Sequence, residues 1–360
     1  MPSEFGRNIV TTLFGESHGT CVGAVVSGFP AGEEIDMAQL SRFMERRAPG
    51  RLPFSTSRKE PDVPEIVSGV ADGRTNGFPL TVIIKNTNVR RGDYSAISST
   101  PRPGHADYTA WVKYGPRADM SGGGHFSGRL TAPLCAAGGI ALQMLSRRGI
   151  RIGAHLASVG SISDQRFPLE PEPELFEEIA SRDMPVIEEE AGKKMLGEIE
   201  SARADGDSVG GSVECAVTGV PAGIGGPAFD GIEGRLSQAV FGIPAVKGIE
   251  FGSGFEGSLW RGSRNNDQFY LKDGSVKTLT NNCGGILGGI SDGMPIVFRA
   301  AFKPTPSISK KQMSVDLTTM SPAEIEIKGR HDPCVAVRAV PAVEAAAALV
   351  ILDMLSEVSL

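Results

Sequence analysis

Two stretches of the chain order their polar and apolar positions alike. Residues 15–32, GESHGTCVGAVVSGFPAG, and residues 206–223, GDSVGGSVECAVTGVPAG, align at an offset of 191 residues. Each opens on polar G-[ED]-S-x-G, continues as an apolar segment of strand character, closes on [ST]-G-x-P-A-G and leads toward a polar helix. After the first copy, Asp36 is placed to N-cap a helix with Leu40, Phe43 and Met44 on one face, ending at Arg46-Arg47 before Pro49-Gly50. A looser pair, IVSGVADG from Ile66 and ILGGISDG from Ile286, is followed in each case by a proline, Pro79 or Pro295, and an apolar run. Three glycines and Ser127 precede a long apolar helix in MSGGGHFSGRLTAPLCAAGGIALQMLSRRG, and AVEAAAALVILDML is a second such helix near the C-terminus. The latter carries Glu344 and Asp353 and is too short to cross a bilayer, so it reads as buried. Two similar halves are expected, about 1–150 and 200–360, joined by an insertion at about 161–206.

Composition adjusts this picture in three places. With 360 residues, 40% of them hydrophobic, the chain can bury a sizeable core, and its 46 glycines and 24 prolines favour a turn-rich architecture with many strands over a helical bundle. The net charge of −6 is local: residues 161–206 hold 13 acidic and 5 basic side chains, which leaves about +2 for the rest and predicts one solvated, acidic helical face. The remaining basic residues sit in short loops among acids, a pattern that suits a compact multi-anion ligand and neither nucleic acid nor a membrane surface. Five scattered cysteines (Cys21, Cys135, Cys215, Cys283, Cys334) without a C-x-x-C pair read as reduced thiols, with no structural metal. The first residues, MPSEFGRNIV, lack the features of a secretion signal, and a cytoplasmic protein is expected.

The candidate chemistry starts at residues 15–19. GESHG fits the G-x-S-x-G elbow of a serine hydrolase with Ser17 as nucleophile, but that elbow needs a helix after the turn, and both copies here are followed by a strand pattern. Ser17 is matched by Ser208, whereas His18 is matched by Val209. The fold therefore does not require an imidazole at this place, and His18 becomes the residue of interest. Arg47, with Arg51, Arg58 and Lys59 nearby, reads as an anion-binding loop, and the glycines before Ser127 as a second receptor for phosphate or carboxylate. AFKPTPSISKKQ is a proline-stiffened loop leaving a strand, with Lys303, Thr305 and Ser307 able to hold a cofactor. KGRHDPC gathers Arg330, His331 and Asp332 in one turn, where a buried acid is a natural proton acceptor. GSGFEG at Gly252–Gly257 matches a dinucleotide fingerprint in letters only, since no helix pattern follows it.

These stretches resemble the chorismate synthase family along nearly the whole chain. GESHGTCVGAVVSGFP, GGGHFSGRLTAP and GRHDPCVAVRAVPAVEA carry the likeness, with RRAPG, DYSAI, RPGHADYT, IPAVKG, GGILGGISDG and KPTPS between them in the family's order. The resemblance implies an α+β fold, a β-α-β sandwich with internal pseudo-two-fold duplication, assembled as a homotetramer. It implies a 1,4-anti elimination of phosphate from 5-enolpyruvylshikimate 3-phosphate to give chorismate, dependent on reduced FMN. It implies His18 as the acid for the leaving phosphate, His105 as the group that protonates reduced flavin, and Asp332 as the base. Arg47, Arg102, Ser127, Arg129 and Arg330 are implied to surround the substrate. FMN contacts are implied at His125, Phe126, Ser127, Pro244, Ala245, Gly288, Lys303, Pro304, Thr305, Pro306, Ser307 and Arg330. Members that reduce their own flavin suggest an NADPH contact at Arg47 and Arg51, the alternative being a separate flavin reductase. The sequence departs from the family pattern at Pro53, His125-Phe126, Gly128 and Pro244.

Overall fold

The computed structural model describes residues 3–50, 60–88, 99–117, 119–327 and 331–357. Its frame is two five-stranded antiparallel sheets. The first runs Glu4–Phe5, Val10–Gly15, Cys21–Ser27, Leu80–Lys85, Glu65–Ser68. The second runs Ile162–Ser163, Arg151–Val159, Gly211–Thr218, Ile296–Phe302, Val246–Phe251. In each the central strand is the one that follows a G-[ED]-S-x-G stretch, and in each the last pairing is broken by a register shift, at Ile66/Ser68 and at Val246/Gly248. Alternation does the work locally: Leu80, Val82 and Ile84 in one sheet and Ile296, Phe298, Ala300 and Phe302 in the other point inward and are buried.

Between the sheets lie the helices Thr131–Arg147 and Ala336–Leu355, packed chiefly on each other, the former also against the first sheet and the latter against the second. They come close because the contact residues are small: a Cβ added to Gly138 would stand 2.4 Å from the Cα of Ala345. The helices Met37–Arg47 and Ile232–Phe241 complete the middle layer, so the architecture is a β-α-β sandwich. Asp36 does cap the first of these, accepting from the backbone N–H groups of Ala38 and Gln39. No helix among the described residues is long and apolar enough to cross a membrane.

The Ala336–Leu355 helix is buried on all sides, yet it carries two acids, and both are paired. Glu344 receives Arg46 through two parallel hydrogen bonds of 2.6 and 2.8 Å and also the backbone N–H of Ala154 at 3.0 Å. Asp353 accepts the successive N–H groups of Arg7, Asn8 and Ile9 at 2.7–3.0 Å and pairs with Arg235. Each acid thus ties a distant segment to the central layer.

The acidic segment forms the helices Pro173–Ser181 and Glu189–Ala204. Its anchor is His155, fully buried, with Nδ1 3.0 Å from Asp164 and Nε2 3.0 Å from Glu214. Asp164 also accepts the N–H groups of Ile187 and Glu188, and the Phe167 ring stands edge-on to the imidazole at 4.7 Å. Burial alone would lower the His155 pKa, but the two carboxylates outweigh it and raise it.

Candidate active site

A cavity of about 670 Å³ opens at one end of the sandwich. Its walls come from segments that local sequence keeps far apart: the turn after Val10–Gly15, the C-terminal end of Met37–Arg47, residues 102–106, the glycine turn ahead of Thr131–Arg147, residues 241–247, the loop 303–307 and the turn before Ala336–Leu355.

His18 and Ser17 sit on the first wall, both buried. Strand, turn and strand surround them, so the geometry of a nucleophile elbow is absent at Ser17. The Ser17 N–H donates to the carbonyl of Gly124, which fastens this turn to the glycine turn opposite. Gly122, Gly123 and Gly124 all have positive φ (61°, 94° and 53°), and the first two are bare for a reason: a Cβ on Gly122 would lie 2.2 Å from Cε1 of His18, and one on Gly123 3.1 Å from Nε2 of His105. Two imidazoles therefore pack directly on the glycine backbone. Ser127 caps the short helical turn that follows, accepting from the Arg129 N–H at 3.3 Å.

The cationic lining is arranged around buried acids. Arg47 and Arg129 both pair with Asp62, one to each carboxylate oxygen. Arg47 also donates to Thr131 Oγ1 at 3.0 Å, and Arg129 to Asn86 Oδ1 at 2.9 Å. Burial, together with the nearby Arg338 and Arg129 and against the pull of Asp62, lowers the Arg47 pKa to about 10. Asp62 would be raised by burial, but its two arginines hold it below the ordinary carboxylate range. Arg102 and His105 both bind Asp107, and Arg102 reaches Ser307 Oγ at 3.3 Å. Asp332 pairs with Arg338, whose Nε donates to the Arg47 carbonyl, and the Asp332 carbonyl accepts from Thr305 Oγ1 at 2.6 Å. His331, next in line, lines the cavity, and burial beside Arg102 pushes its pKa down to about 4 against the opposing charge of Asp332.

Of the residues expected from sequence, His18, Arg47, Arg102, His105, His125, Phe126, Ser127, Arg129, Pro244, Ala245, Lys303, Thr305, Pro306, Ser307 and Asp332 all line this cavity. Pro304 and Gly288 do not. Gly288 turns the small hairpin between Ile286–Leu287 and Ile290–Ser291, where its neighbour Gly289 packs against Gly226 and Gly231. Arg51, Arg58, Lys59 and Arg330 lie outside the described residues. Arg46 faces the core and Glu344 rather than the cavity. His125 is engaged by the chain itself: its Nδ1 is 2.8 Å from the Gly15 carbonyl, which fixes a proton there, so Nε2 accepts from the Ser3 hydroxyl at 2.7 Å. The residues that sequence reasoning passed over are Asp62, Asp107 and Arg338.

The chain matches the family model described as chorismate synthase over residues 9–356. A chorismate synthase of Lancefieldella parvula is 47% identical, the alignment covering 99% of this chain and 96% of that one. Those of Methanosarcina mazei and Thermococcus kodakarensis are each 48% identical, over 97% of this chain and 94% and 96% of theirs. A solved structure titled "Crystal Structure of Chorismate Synthase" superposes with a TM-score of 0.76 at 27% identity, covering 98% of this chain and 93% of that chain.

Proposed function

The chain belongs to the chorismate synthase family, and from that premise we propose that it eliminates phosphate from 5-enolpyruvylshikimate 3-phosphate in the 1,4-anti sense to give chorismate, a lyase step of aromatic amino acid biosynthesis carried out in the cytoplasm. The observation that carries the reading is the convergence on one cavity of His18, His105, Asp332, Arg47, Arg102 and Arg129 from five separate segments. A substrate with one phosphate and two carboxylates needs such a guanidinium shell, whose planar forks bind these anions in pairs. Arg47, Arg102 and Arg129, with Ser127 and Arg330, take that role.

The residues present fit reduced FMN. The glycine turn packed beneath His18 and His105 seats both imidazoles in the wall, and Phe126, Pro244 and Ala245 offer apolar surface to a flat ring. Lys303, with Thr305 to Ser307, offers donors for a phosphate. When bound, the flavin supplies transient electron donation to the substrate. His18 gives a proton to the departing phosphate, His105 exchanges one with the cofactor through Nε2, and Asp332, kept in place by Arg338, accepts one. Each such group contributes on the order of 10²–10⁴-fold.

Arg47 is turned inward onto Asp62 and Thr131, which speaks for electrons delivered by a separate flavin reductase rather than by NADPH bound at Arg47 and Arg51. The strand after each G-[ED]-S-x-G stretch stands at the centre of its sheet, which supports one domain of two similar halves, 1–150 and 200–360, although Arg151–Val159 and Ile162–Ser163 of the second sheet precede the latter. A homotetramer is supported by apolar side chains left exposed on the hairpin 269–278, namely Phe269, Leu271 and Val276. An anaerobic assay with photoreduced FMN, with and without NADPH, tests the whole reading: chorismate should form, and His18→Ala should lower the rate by about 10²-fold or more. Absence of chorismate with fully reduced FMN would refute it.

A further inference from the structure

Asp107 opens the helix Asp107–Tyr114, and its carboxylate is divided between two groups of the cavity wall. Arg102 grips it as a fork, Nε to Oδ2 at 2.6 Å and Nη2 to Oδ1 at 2.7 Å, with the Arg102 backbone N–H adding a bond to Oδ2 at 3.0 Å. His105 Nδ1 lies 2.6 Å from the same Oδ1.

These contacts settle where the imidazole proton sits. Burial would raise the Asp107 pKa, but the Arg102 and His105 hydrogen bonds overcome it and keep the carboxyl well below its usual range, so both oxygens are acceptors. A 2.6 Å approach between a carboxylate oxygen and a ring nitrogen requires a proton on the nitrogen. Arg102 Nη2, 3.1 Å from Nδ1, has a second N–H to offer, but a bare Nδ1 would face its lone pair to Oδ1 at 2.6 Å, so the carboxylate decides the position. Nε2 is the nitrogen left for chemistry. It packs beside Gly123, where a Cβ would stand 3.1 Å from it, and the His105 ring lines the cavity. Other charged or titratable groups near the ring are His331 and Asp332, from the turn before Ala336–Leu355, and Lys303, whose ammonium bonds the Gly104 carbonyl.

We propose that Asp107 is a positioning residue for His105: it holds the imidazole in the Nδ1–H tautomer, so that proton exchange with a ligand in the cavity runs through Nε2 alone. This rests on the reading above only for what lies across the gap, and the tautomer itself is a property of the free protein. In enzymes with a carboxylate behind a catalytic histidine, removing the charge while keeping the shape favours the wrong tautomer and costs up to about 10⁴-fold in turnover.

The test has two arms on the full-length chain. In the first, long-range ¹⁵N–¹H spectra of histidine-labelled wild-type protein at alkaline pH, with His105 assigned through His105→Gln, should show the Nδ1–H pattern, and Asp107→Asn should move it toward Nε2–H. A wild-type Nε2–H pattern overturns the proposal. In the second, Asp107→Asn should lower kcat on the order of 10²-fold or more, but by less than about threefold when His105 is already Ala, as expected of residues acting as one unit. An equal loss in both backgrounds would mean that Asp107 acts only through Arg102 or the fold, and would also overturn it. Failure of the wild-type enzyme to make chorismate would count against the proposed reaction while leaving the spectroscopic result standing.

Discussion

Replacing Glu344 by Met isolates one buried charge interaction of the central layer. The Glu344 side chain is 4% exposed and that of Arg46 15%, so neither charge is relieved by water. Removing the carboxylate strands the guanidinium and orphans the Ala154 N–H. Breaking one side of a buried pair costs about 3–5 kcal/mol, and the unpaired amide accounts for about 1–3 kcal/mol within that figure. An unfolding entropy of about 2.1 cal/mol/K per residue over 360 residues turns this into a fall in Tm of about 4–7 °C. The double replacement Arg46→Met with Glu344→Met should recover the part of the loss due to the stranded guanidinium, because apolar pairs of similar volume often equal or exceed a buried ion pair, while the Ala154 N–H stays unpaired. Calorimetric melts of the wild type, both single variants and the double variant close the cycle. A Glu344→Met penalty under about 1 kcal/mol, or a double variant as unstable as the sum of the singles, would refute the reasoning, since contacting residues couple by about 0.5–3 kcal/mol.

Other expectations follow from the same geometry. The raised pKa of His155 makes its two ion pairs a stabilising contribution that is complete below pH ~6.5 and lost as pH rises through the folded-state value; urea melts from pH 6 upward should show that alkaline loss in the wild type and not in His155→Gln, and a flat difference between the two would count against it. Gly122→Ala should abolish most turnover, by about 10²-fold or more, through displacement of His18 while the melting profile stays cooperative, so a fully active variant would contradict the packing described. In the folded protein Cys135, Cys215 and Cys334 should resist a thiol reagent, because burial raises their pKa to about 12, well above the ordinary value and to about 11 respectively; labelling of Cys135 ahead of unfolding would contradict this.

The parts legible in the sequence were those with a local cause. Asp36 declares a helix start because its carboxylate and the orphan N–H groups lie two and three residues apart. The strand after each G-[ED]-S-x-G and the all-apolar C-terminal helix are equally local. The cavity residues were found through long ordered motifs, and most of them do meet. What escaped were partners chosen by chain closure. Asp62 is 15 and 67 residues from its two arginines, and Arg46, read beside Arg47 at the end of its helix, instead finds an acid 298 residues away. Gly288 and Pro304 entered by motif membership alone, and neither lines the cavity of a single chain.

The second G-[ED]-S-x-G stretch has a place in this scheme. The Ser208 hydroxyl donates to the Thr305 carbonyl at 2.7 Å, and the Val209 N–H to the Pro333 carbonyl at 2.9 Å, beside the turn that bears His331 and Asp332. The copy without an imidazole is thus a brace behind the wall that faces its twin. Ser208→Ala, remote from any ligand, should loosen that wall and blunt turnover with little change in melting temperature. A repeated segment need not repeat its job: here one copy lines the cavity and the other steadies the turn beside it.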